Sequence, residues 1–500
     1  MEFLTQVTMR GLSILSTLFV LAVGFGVLLI VVLYFIDANQ SRSAVRRNFP
    51  VVGRFRDLFI RLGEFFRQYF FALDREEMPF NRAERDWIYK SAKGEDNTEA
   101  FGSTRNLTPV GTPIFANAPF PVLEASGPEL DLVFGPDCSN PYSTRSIINV
   151  SGMSFGALSK PAIQALSHGA KLAGCWLNTG EGGLSPYHLE GGCDVIFQIG
   201  TAKYGVRDHD GNFSEEKYRA ITEKPEVVMT ELKLAQGAKP GKGGMLPGHK
   251  VTEEIAHVRQ IRVGEDSISP NRHPEIDSAD DLLDFVVQLR TLSGKPVGIK
   301  TVISSRHWLD ELFRRINERG AECAPDFITV DGGDGGTGAA PMALMDNVGL
   351  TLREALPLLV DALKDHGLRD RIKIIASGKL IVPAEVAWAY CAGADAVNSA
   401  RGFMFSIGCI QAMACNTNNC PTGITTHKPH LQHGLVPISK AEGVKNFVER
   451  LTKDVNMIAH SVGVDHARGL RRHHVRLMQS SGRSVPMDEL YPDKLPQSDR

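Results

Sequence analysis

The sequence predicts an α/β protein, a (β/α)8 TIM barrel that follows one N-terminal transmembrane helix. Residues 12–36 carry no charge and are rich in Leu, Val, Ile and Phe. From about Arg145, short β-branched runs alternate with helical patterns, which is typical of βα units around a parallel sheet. Glycines and charged residues follow these runs, at the end where barrels carry their functional groups.

Composition places the chain among ordinary globular proteins. Its 500 residues are 43% hydrophobic and 22% charged, enough to bury a sizeable core. The formal net charge of −2 gives no excess of Lys and Arg for tracking phosphates, so we expect no nucleic-acid partner.

The apolar segment 12–36 is about 25 residues long, which is sufficient to span a bilayer. A secretory signal would have a shorter apolar core and a small-residue cleavage site, so we expect an uncleaved anchor. Five arginines follow it, against Arg10 alone before it, and cytoplasmic flanks carry the positive excess. They are Arg42, Arg46, Arg47, Arg54 and Arg56. We therefore expect a single-pass protein of the inner (cytoplasmic) membrane with its catalytic domain in the cytoplasm.

The expected organisation has four parts. Residues 1–40 form the anchor, 41–106 a basic juxtamembrane linker, 107–480 the barrel with an iron–sulfur motif, and 481–500 a C-terminal tail. Within the linker, Arg54 to Leu73 repeats apolar residues at helical spacing with arginines between them. Such a helix lies in the lipid headgroup plane or packs on the soluble domain, and the sequence leaves both open.

Eight β-branched runs predict the barrel strands, and no G-x-G-x-x-G opens the first βα unit as a doubly wound sheet would require. The runs are Ile147–Val150, Cys175–Asn178, Val195–Ile199, Val227–Glu231, Val297–Thr301, Phe327–Val330, Ile372–Ala376 and Ala394–Asn398.

The residues after these runs predict a ligand-binding rim. Glycine clusters let backbone N–H groups approach a ligand, and the last two loops are where barrels bind phosphate. The loops are Ser151–Gly156, Asn178–Gly183, Asp331–Gly338, Ser377–Lys379 and Ser399–Gly402. Lys300, at the end of the fifth run, could supply the cation that stabilises a reduced isoalloxazine ring.

Three cysteines with the spacing C-x5-C-x4-C follow the eighth run: Cys409, Cys415 and Cys420. Three thiolates fit a three-iron cluster, and the alternative is three buried structural cysteines. His427, His430 and His433 suggest a second metal. Pro429 interrupts any helix that would place them on one face, which favours surface histidines instead.

From Ser151 to Thr426 the chain resembles the FMN-binding synthase domain of glutamate synthases, in particular the short single-domain members. The matching stretches are S-G-M-S-F-G-A-L-S from Ser151, N-T-G-E-G-G from Asn178, A-Q-G-A-K-P-G-K-G-G from Ala235, L-P-G-H-K from Leu246, D-G-G-T-G-A-A-P from Asp334, and G-C-x5-C-N-T-N-N-C-P-T-G-I from Gly408.

The resemblance implies an oxidoreductase of the class acting on CH–NH2 donors, with FMN and a [3Fe–4S] cluster held by the three cysteines. In that reaction 2-oxoglutarate and ammonia give 2-iminoglutarate, which is reduced to L-glutamate. Glu181, Lys239 and Lys300 would be catalytic, the first two in the substrate pocket and Lys300 against the flavin. The remaining flavin-site residues would be Met153, Ser154, Gly335, Gly336, Ser377, Gly378, Ala400, Arg401 and Gly402. An electron donor such as a ferredoxin or an NAD(P)H-dependent reductase is the expected partner.

Departures from the family pattern bear on function. We expect no glutaminase activity, because an anchor begins the chain where large members have a cysteine-nucleophile domain. We also expect no C-terminal β-helix. Met245 stands where the family usually has Gln, which removes a hydrogen bond if that position contacts the substrate. Two alternatives therefore stay open. One is an oxidase or dehydrogenase of another small oxo- or amino acid that passes electrons to a membrane acceptor; the other is a non-catalytic electron-transfer subunit.

Overall fold

The computed structural model describes residues 2–40, 43–123 and 130–492. The chain divides into two compact units, residues 1–83 and 84–500. Part of the predicted tail, residues 493–500, lies outside the described residues.

The first unit is helical. Helix α1 (Glu2–Asn39) is followed by α2 (Ala44–Asn48), α3 (Gly53–Phe66) and a π-helical turn, Arg67–Phe71. The predicted segment 12–36 lies inside α1. Residues Thr5–Asn39 of α1 are long and apolar enough to cross a membrane, and a window of 18 residues within them has a mean hydropathy of 3.0. By length and composition alone, this helix is a possible membrane span.

The second unit contains a closed barrel of eight parallel strands, and each of the eight predicted runs forms one of them. The barrel strands are β4 (Ile148–Val150), β5 (Leu177–Asn178), β6 (Val195–Ile199), β7 (Val227–Lys233), β10 (Val297–Thr301), β11 (Phe327–Asp331), β12 (Lys373–Ser377) and β13 (Ala396–Ser399). Pairing of Val397 with Ile148 closes the ring between the last strand and the first. Most of these residues are buried, because helices cover the outer face and side chains fill the interior. The predicted fold class is confirmed.

Short strands lie outside the barrel. They are β1 (Pro113–Phe115), β2 (Leu132–Phe134), β3 (Tyr142–Thr144), β8 (Met245–Leu246), β9 (Ser267–Ile268), β14 (Val475–Met478) and β15 (Ser484–Pro486). They pair as a β1-β14-β15 sheet and as β2-β3 and β8-β9 hairpins.

The helices of this unit cover the barrel and its ends. They are α4 (Arg82–Lys93), α5 (Lys160–Ala173), α6 (Pro186–Leu189), α7 (Glu215–Thr222), α8 (Glu253–Arg259), α9 (Ala279–Ser293), α10 (Arg306–Arg319), α11 (Leu352–Asp365), α12 (Pro383–Ala392), α13 (Arg401–Ser406), α14 (Pro429–Gln432), α15 (Pro437–Ser461) and α16 (Met487–Leu490). Local sequence sets their limits. In α5, Ser159 accepts the Ala162 N–H through its hydroxyl at the start, and Gly174 ends the helix in a left-handed conformation, φ +66°.

The N-terminal end of the barrel is closed by an apolar cluster, which we call the aromatic plug. It consists of Leu132, Phe134, Tyr142, Trp176, Ile196, Met229, Phe327, Ile375 and Ala396. Phe134, from the β2-β3 hairpin, meets Trp176 and Phe327 edge to face, with ring centroids 5.8 and 5.6 Å away. Edge-to-face packing suits the quadrupoles of aromatic rings, so the hairpin seals this end.

Candidate active site

Above the plug, the barrel interior is polar. Glu231 points inward from β7 and is completely buried. Its carboxylate accepts hydrogen bonds from Asn178 Nδ2 at 2.8 Å, Gln198 Nε2 at 2.6 Å and Thr329 Oγ1 at 2.5 Å. Three donors satisfy the carboxylate inside the barrel. This layer separates the apolar plug from the charged mouth.

Glu181 lies at the C-terminal mouth, on a 3₁₀ turn that follows β5. The turn needs glycine at Gly180, whose φ is +64° and where a Cβ would come within 2.5 Å of the Ser154 amide nitrogen. Glu181 Oε2 is 2.8 Å from Lys233 Nζ. Burial alone would raise the pKa of Glu181, but the charges of Lys233 and Lys239 lower it to about 2. At neutral pH this carboxylate is therefore ionised.

Lys233 was not among the residues that we predicted for the site. It is the last residue of β7, two positions after Glu231, so both side chains point into the barrel. Its ammonium also donates to Gln236 Oε1, and Gln236 Nε2 donates to Thr337 Oγ1 at 3.1 Å. The period-two spacing of Glu231 and Lys233 is the signal that could have found it.

Lys239, in the loop after β7, is buried as well. Burial lowers its pKa, and the nearby negative charge of Glu181 opposes that shift only in part. Arg259, at the end of α8, donates to the Phe155 carbonyl at 3.1 Å and to Ser154 Oγ at 3.4 Å. It too acts electrostatically on Glu181, so Glu181 is surrounded by cations.

Lys300 is the next-to-last residue of β10, near the end of the strand as predicted. Its Nζ is 3.4 Å from Asp331 Oδ2. Burial would lower the pKa of Lys300, but the negative charges of Asp331 and Glu231 outweigh it and raise the pKa. Asp331 also accepts the Gly237 N–H and the Ser377 hydroxyl, both at 3.0 Å. Lys300 therefore stays protonated at the mouth, and the predicted cofactor residue Ser377 turns its hydroxyl inward to Asp331.

The glycine-rich loops after β11, β12 and β13 meet at one side of the mouth. A Cβ on Gly335 would lie 3.8 Å from the Gly378 Cα, and one on Gly336 would lie 3.6 Å from Arg401 Nε. Gly378 has φ +133°, which other residues rarely adopt. Arg401 donates to the Thr337 carbonyl at 2.9 Å, and the Gly402 N–H donates to Ser399 Oγ at 3.3 Å. The glycine backbone lets N–H groups approach a ligand, and the Arg401 guanidinium lies beside it. Both suit the binding of a phosphate monoester.

The remaining predicted flavin residues lie where the sequence placed them. Met153 and Ser154 follow β4 and form the wall against which the Glu181 turn packs, because a Cβ on Gly182 would lie 2.8 Å from Ser154 Cβ. Ala400 lies between β13 and α13. The structure thus brings together the predicted residues of the barrel mouth.

The cysteine segment follows α13 and lies beside the insertion between β7 and β10. Lys250 is buried and donates to the carbonyls of Cys415 at 3.3 Å and Thr425 at 3.0 Å. Burial raises the pKa of Cys409. All eight cysteines are free. Among residues 2–40, 43–123 and 130–492, no group of three or more His, Cys, Asp or Glu side chains is placed to hold a metal ion.

The three histidines of the H-x2-H-x2-H series do not share a helix. His427 precedes α14 and its Nε2 lies 2.7 Å from the Gly156 carbonyl. Burial lowers the pKa of His427 to about 4. His430 lies in α14 and His433 just after it, both exposed. The interpretation of His430 and His433 as surface residues agrees with this placement, whereas His427 is a half-buried contact between two loops.

Comparisons with known proteins agree on one family. A family model described as the conserved region in glutamate synthase matches residues 129–465. The glutamate synthase large subunit-like protein YerD of Bacillus subtilis (strain 168) is 39% identical over 92% of this chain and 94% of its own length. An archaeal glutamate synthase [NADPH] of Methanocaldococcus jannaschii is 36% identical over 66% of this chain, which spans 61% of that protein.

A glutamate synthase large subunit-like protein of Rhizobium meliloti (strain 1021) is 30% identical over 66% of this chain and 74% of its own length. Among solved structures, a mandelate oxidase variant is 15% identical with a TM-score of 0.43, covering 79% of this chain and 90% of that one. A structural likeness this distant carries no argument about ligands.

Proposed function

The chain belongs to the glutamate synthase family, and on that premise we propose that it is an FMN-dependent oxidoreductase reducing 2-iminoglutarate, formed from 2-oxoglutarate and ammonia, to L-glutamate. The observation that carries the proposal is the position of Glu181 among Lys233, Lys239 and Arg259. A dicarboxylate needs compensating cations, and its C2 nitrogen needs an acceptor of opposite charge. This pocket offers both.

Each side chain has a role that follows from its charge. Lys239 and Lys300 are cations at the mouth that can bind and orient carboxylates. Glu181, with its pKa lowered to about 2, holds no proton at neutral pH. It therefore acts as a hydrogen-bond acceptor and counter-charge for ammonium and for the iminium nitrogen, rather than as the acid that delivers a proton.

FMN would be held by the rim loops and would supply the hydride that C2 of the imine accepts. The phosphate would lie at Gly335, Gly336, Gly378 and Arg401, where three residues carry no side chain and one guanidinium is near. Met153 and Ser154 would flank the ring on the opposite wall, and Lys300 would provide the cation beside it.

We also propose that Cys409, Cys415 and Cys420 hold a [3Fe–4S] cluster, which supplies one-electron transfer from a donor such as a ferredoxin or an NAD(P)H-dependent reductase. The donor set supports this proposal, since the segment 408–421 contains three free thiols and no acidic residue. Cys415→Ser should lose iron and visible absorbance, whereas Cys391→Ser, a buried free thiol in α12, should keep both. Equal iron in the two variants would remove Cys415 from the ligand set.

The location of the protein is a further proposal. We infer that α1 anchors the chain by one pass in the inner membrane, with the barrel in the cytoplasm. The exposed apolar surface of α1 and the arginines after it support this inference. We expect the membrane-bound protein to resist extraction by carbonate. We also expect protease to reach the barrel only from the cytoplasmic side. Release by carbonate would contradict the anchor.

The reaction is tested on the full-length protein, purified anaerobically and reduced chemically. Addition of 2-oxoglutarate with ammonium should reoxidise the flavin and produce glutamate, and neither compound alone should do so. Persistent reduced flavin with both compounds present would refute the reaction while leaving the fold untouched.

A second candidate reaction runs in the opposite direction, as an oxidase or dehydrogenase that passes electrons to a membrane acceptor. Met245 favours it, because this residue replaces the family glutamine and its side chain is 53% exposed in the β8-β9 hairpin. Methionine cannot make the hydrogen bond that a glutamine at this position would offer, so the enzyme would favour a different substrate. Bleaching of the oxidised flavin by a small amino or hydroxy acid, without reoxidation by 2-oxoglutarate and ammonium, would favour this reaction.

A further inference from the structure

The helix α3 and the turn after it expose a large apolar face. The apolar residues recur every three or four positions, so they share one side of the helix. They are Phe55, Leu58, Phe59, Leu62, Phe65, Phe66 and Tyr69, and all are exposed. Phe59 is 65% exposed, although it contacts Phe55 with a centroid distance of 6.4 Å. Such a contiguous aromatic patch marks an interaction surface.

An ion pair between a buried carboxylate and a half-buried arginine fixes where α3 begins. Asp37, in the last turn of α1, is only 1% exposed. Its Oδ2 accepts the Val51 N–H at 3.0 Å and Arg54 Nε at 2.8 Å, and its Oδ1 accepts Arg54 Nη2 at 2.8 Å. Bidentate pairs of this kind have a strict geometry. The start of α3 is therefore held at the end of the apolar span.

The packing of the corner agrees with this constraint. A Cβ on Gly53 would lie 3.0 Å from the Val45 carbonyl oxygen of α2, so α2 and α3 approach closely there. If α1 spans the bilayer, its last turn lies at the level of the headgroups. The first turn of α3 then lies at that level too.

Cations border the aromatic face. Arg56 and Arg67 are exposed and lie about three helical turns apart along one edge of it. Long arginine side chains beside an apolar helix face reach lipid phosphates while their stems stay on apolar surface. An anionic leaflet attracts such residues electrostatically.

We propose that α3 and the turn Arg67–Phe71 lie flat in the headgroup layer of an anionic membrane, with the aromatic face toward the acyl chains and Arg56 and Arg67 toward lipid phosphates. The proposal rests on the anchoring of α1 but not on the flavin chemistry. Of the two placements that the sequence left open, it takes the one in the headgroup plane, because apolar residues and arginines lie on neighbouring sides of the same helix.

The test compares neighbouring residues on opposite faces of α3. Ile60 is 53% exposed but lies away from the aromatic face, so Ile60→Trp is a matched control for Phe59→Trp. Each full-length variant is placed in nanodiscs of phosphatidylcholine with phosphatidylglycerol, and quenching of the added tryptophan fluorescence by lipids brominated near the headgroup end is measured. We expect strong quenching for Phe59→Trp and little for Ile60→Trp.

Equal quenching of the two variants, or none in Phe59→Trp, would overturn the proposal. A shielded but unquenched tryptophan at position 59 would mean that protein covers the face. The role of the arginines is tested by repeating the measurement in discs without phosphatidylglycerol. Quenching in Phe59→Trp should be weaker there than in discs with this lipid. In Arg56→Gln/Arg67→Gln/Phe59→Trp that difference should disappear, and an unchanged difference would contradict the role of the arginines. Carbonate extraction of the same variants tests the anchor separately, so a failed anchor is distinguished from a failed α3 placement.

Discussion

The two ends of the barrel differ in chemistry although the same eight strands build both. At the N-terminal end, the aromatic plug packs rings edge to face around Phe134. At the C-terminal end, the buried Lys233, Lys239 and Lys300 and the half-buried Glu181 lie at the mouth. Between them lies Glu231 with its three hydrogen-bond donors.

The difference indicates that one end of the barrel serves mainly stability and the other mainly function. Burial of apolar rings supplies folding free energy at one end, whereas the charged groups at the other end lose hydration on folding and are held there by pairing with one another. Substitutions at the plug should therefore lower stability, and substitutions at the mouth should lower activity.

Glu181→Gln should lower the rate of flavin reoxidation by 2-oxoglutarate and ammonium by about 10²–10⁴-fold. The amide keeps the shape of the side chain but removes the charge that would hold the nitrogen. The measurement is single-turnover stopped flow on the reduced protein. The exposed Glu216→Gln serves as control and should keep the wild-type rate; an equal rate in both variants would show that Glu181 does not act at the mouth.

Phe134→Ala should lower the free energy of unfolding by about 3–5 kcal/mol, because it removes a fully buried ring from the plug. The flavin content of the folded fraction should not change. Chemical denaturation of the protein is the measurement. Val133→Ala, on the solvent side of the same strand, should change the stability by less than about 0.5 kcal/mol. A similar loss in both variants would contradict the plug.

Lys239→Met should reduce activity and yet stabilise the fold by about 0.5–2 kcal/mol. Burial lowers the pKa of Lys239, so its charged form costs free energy in the folded state at neutral pH. The matched control is Lys242→Met, an exposed lysine of the same loop, which should alter neither. Destabilisation by Lys239→Met would mean that its ion pairing outweighs its burial.

The sequence predicted the barrel well for a physical reason. Strands buried on both faces are short runs rich in β-branched residues, such as Val195–Ile199 and Val297–Thr301, and these stand out from amphipathic helices. The plug could not be predicted, because the three-residue strands β2 and β3 have too short a pattern. Their role depends on where the hairpin docks.

The candidate site was predicted in part. Glu181 lies in the loop after the second predicted run and Lys300 lies near the end of the fifth, so their place at the mouth follows from barrel geometry. Lys233 was missed because the predicted run ended two residues early, at Glu231. Arg259 was missed for a different reason: it ends a helix inside a long insertion, and only tertiary packing brings it to the Phe155 carbonyl.

A pH dependence of stability should belong to the mouth alone. The pKa of Glu181 is lowered from 4.5 to about 2 in the folded protein, so the folded state binds fewer protons there than the unfolded chain does. This pairing stabilises the fold above about pH 4.5, and the contribution is lost as the pH falls toward 2. Thermal unfolding of wild type and Glu181→Gln across this window should show a steeper loss in wild type, whereas Phe134→Ala should parallel wild type at a lower level. If Glu181→Gln followed the wild-type slope, the carboxylate would not be held ionised by its lysines, and the charged mouth would not differ from the plug in its response to acid.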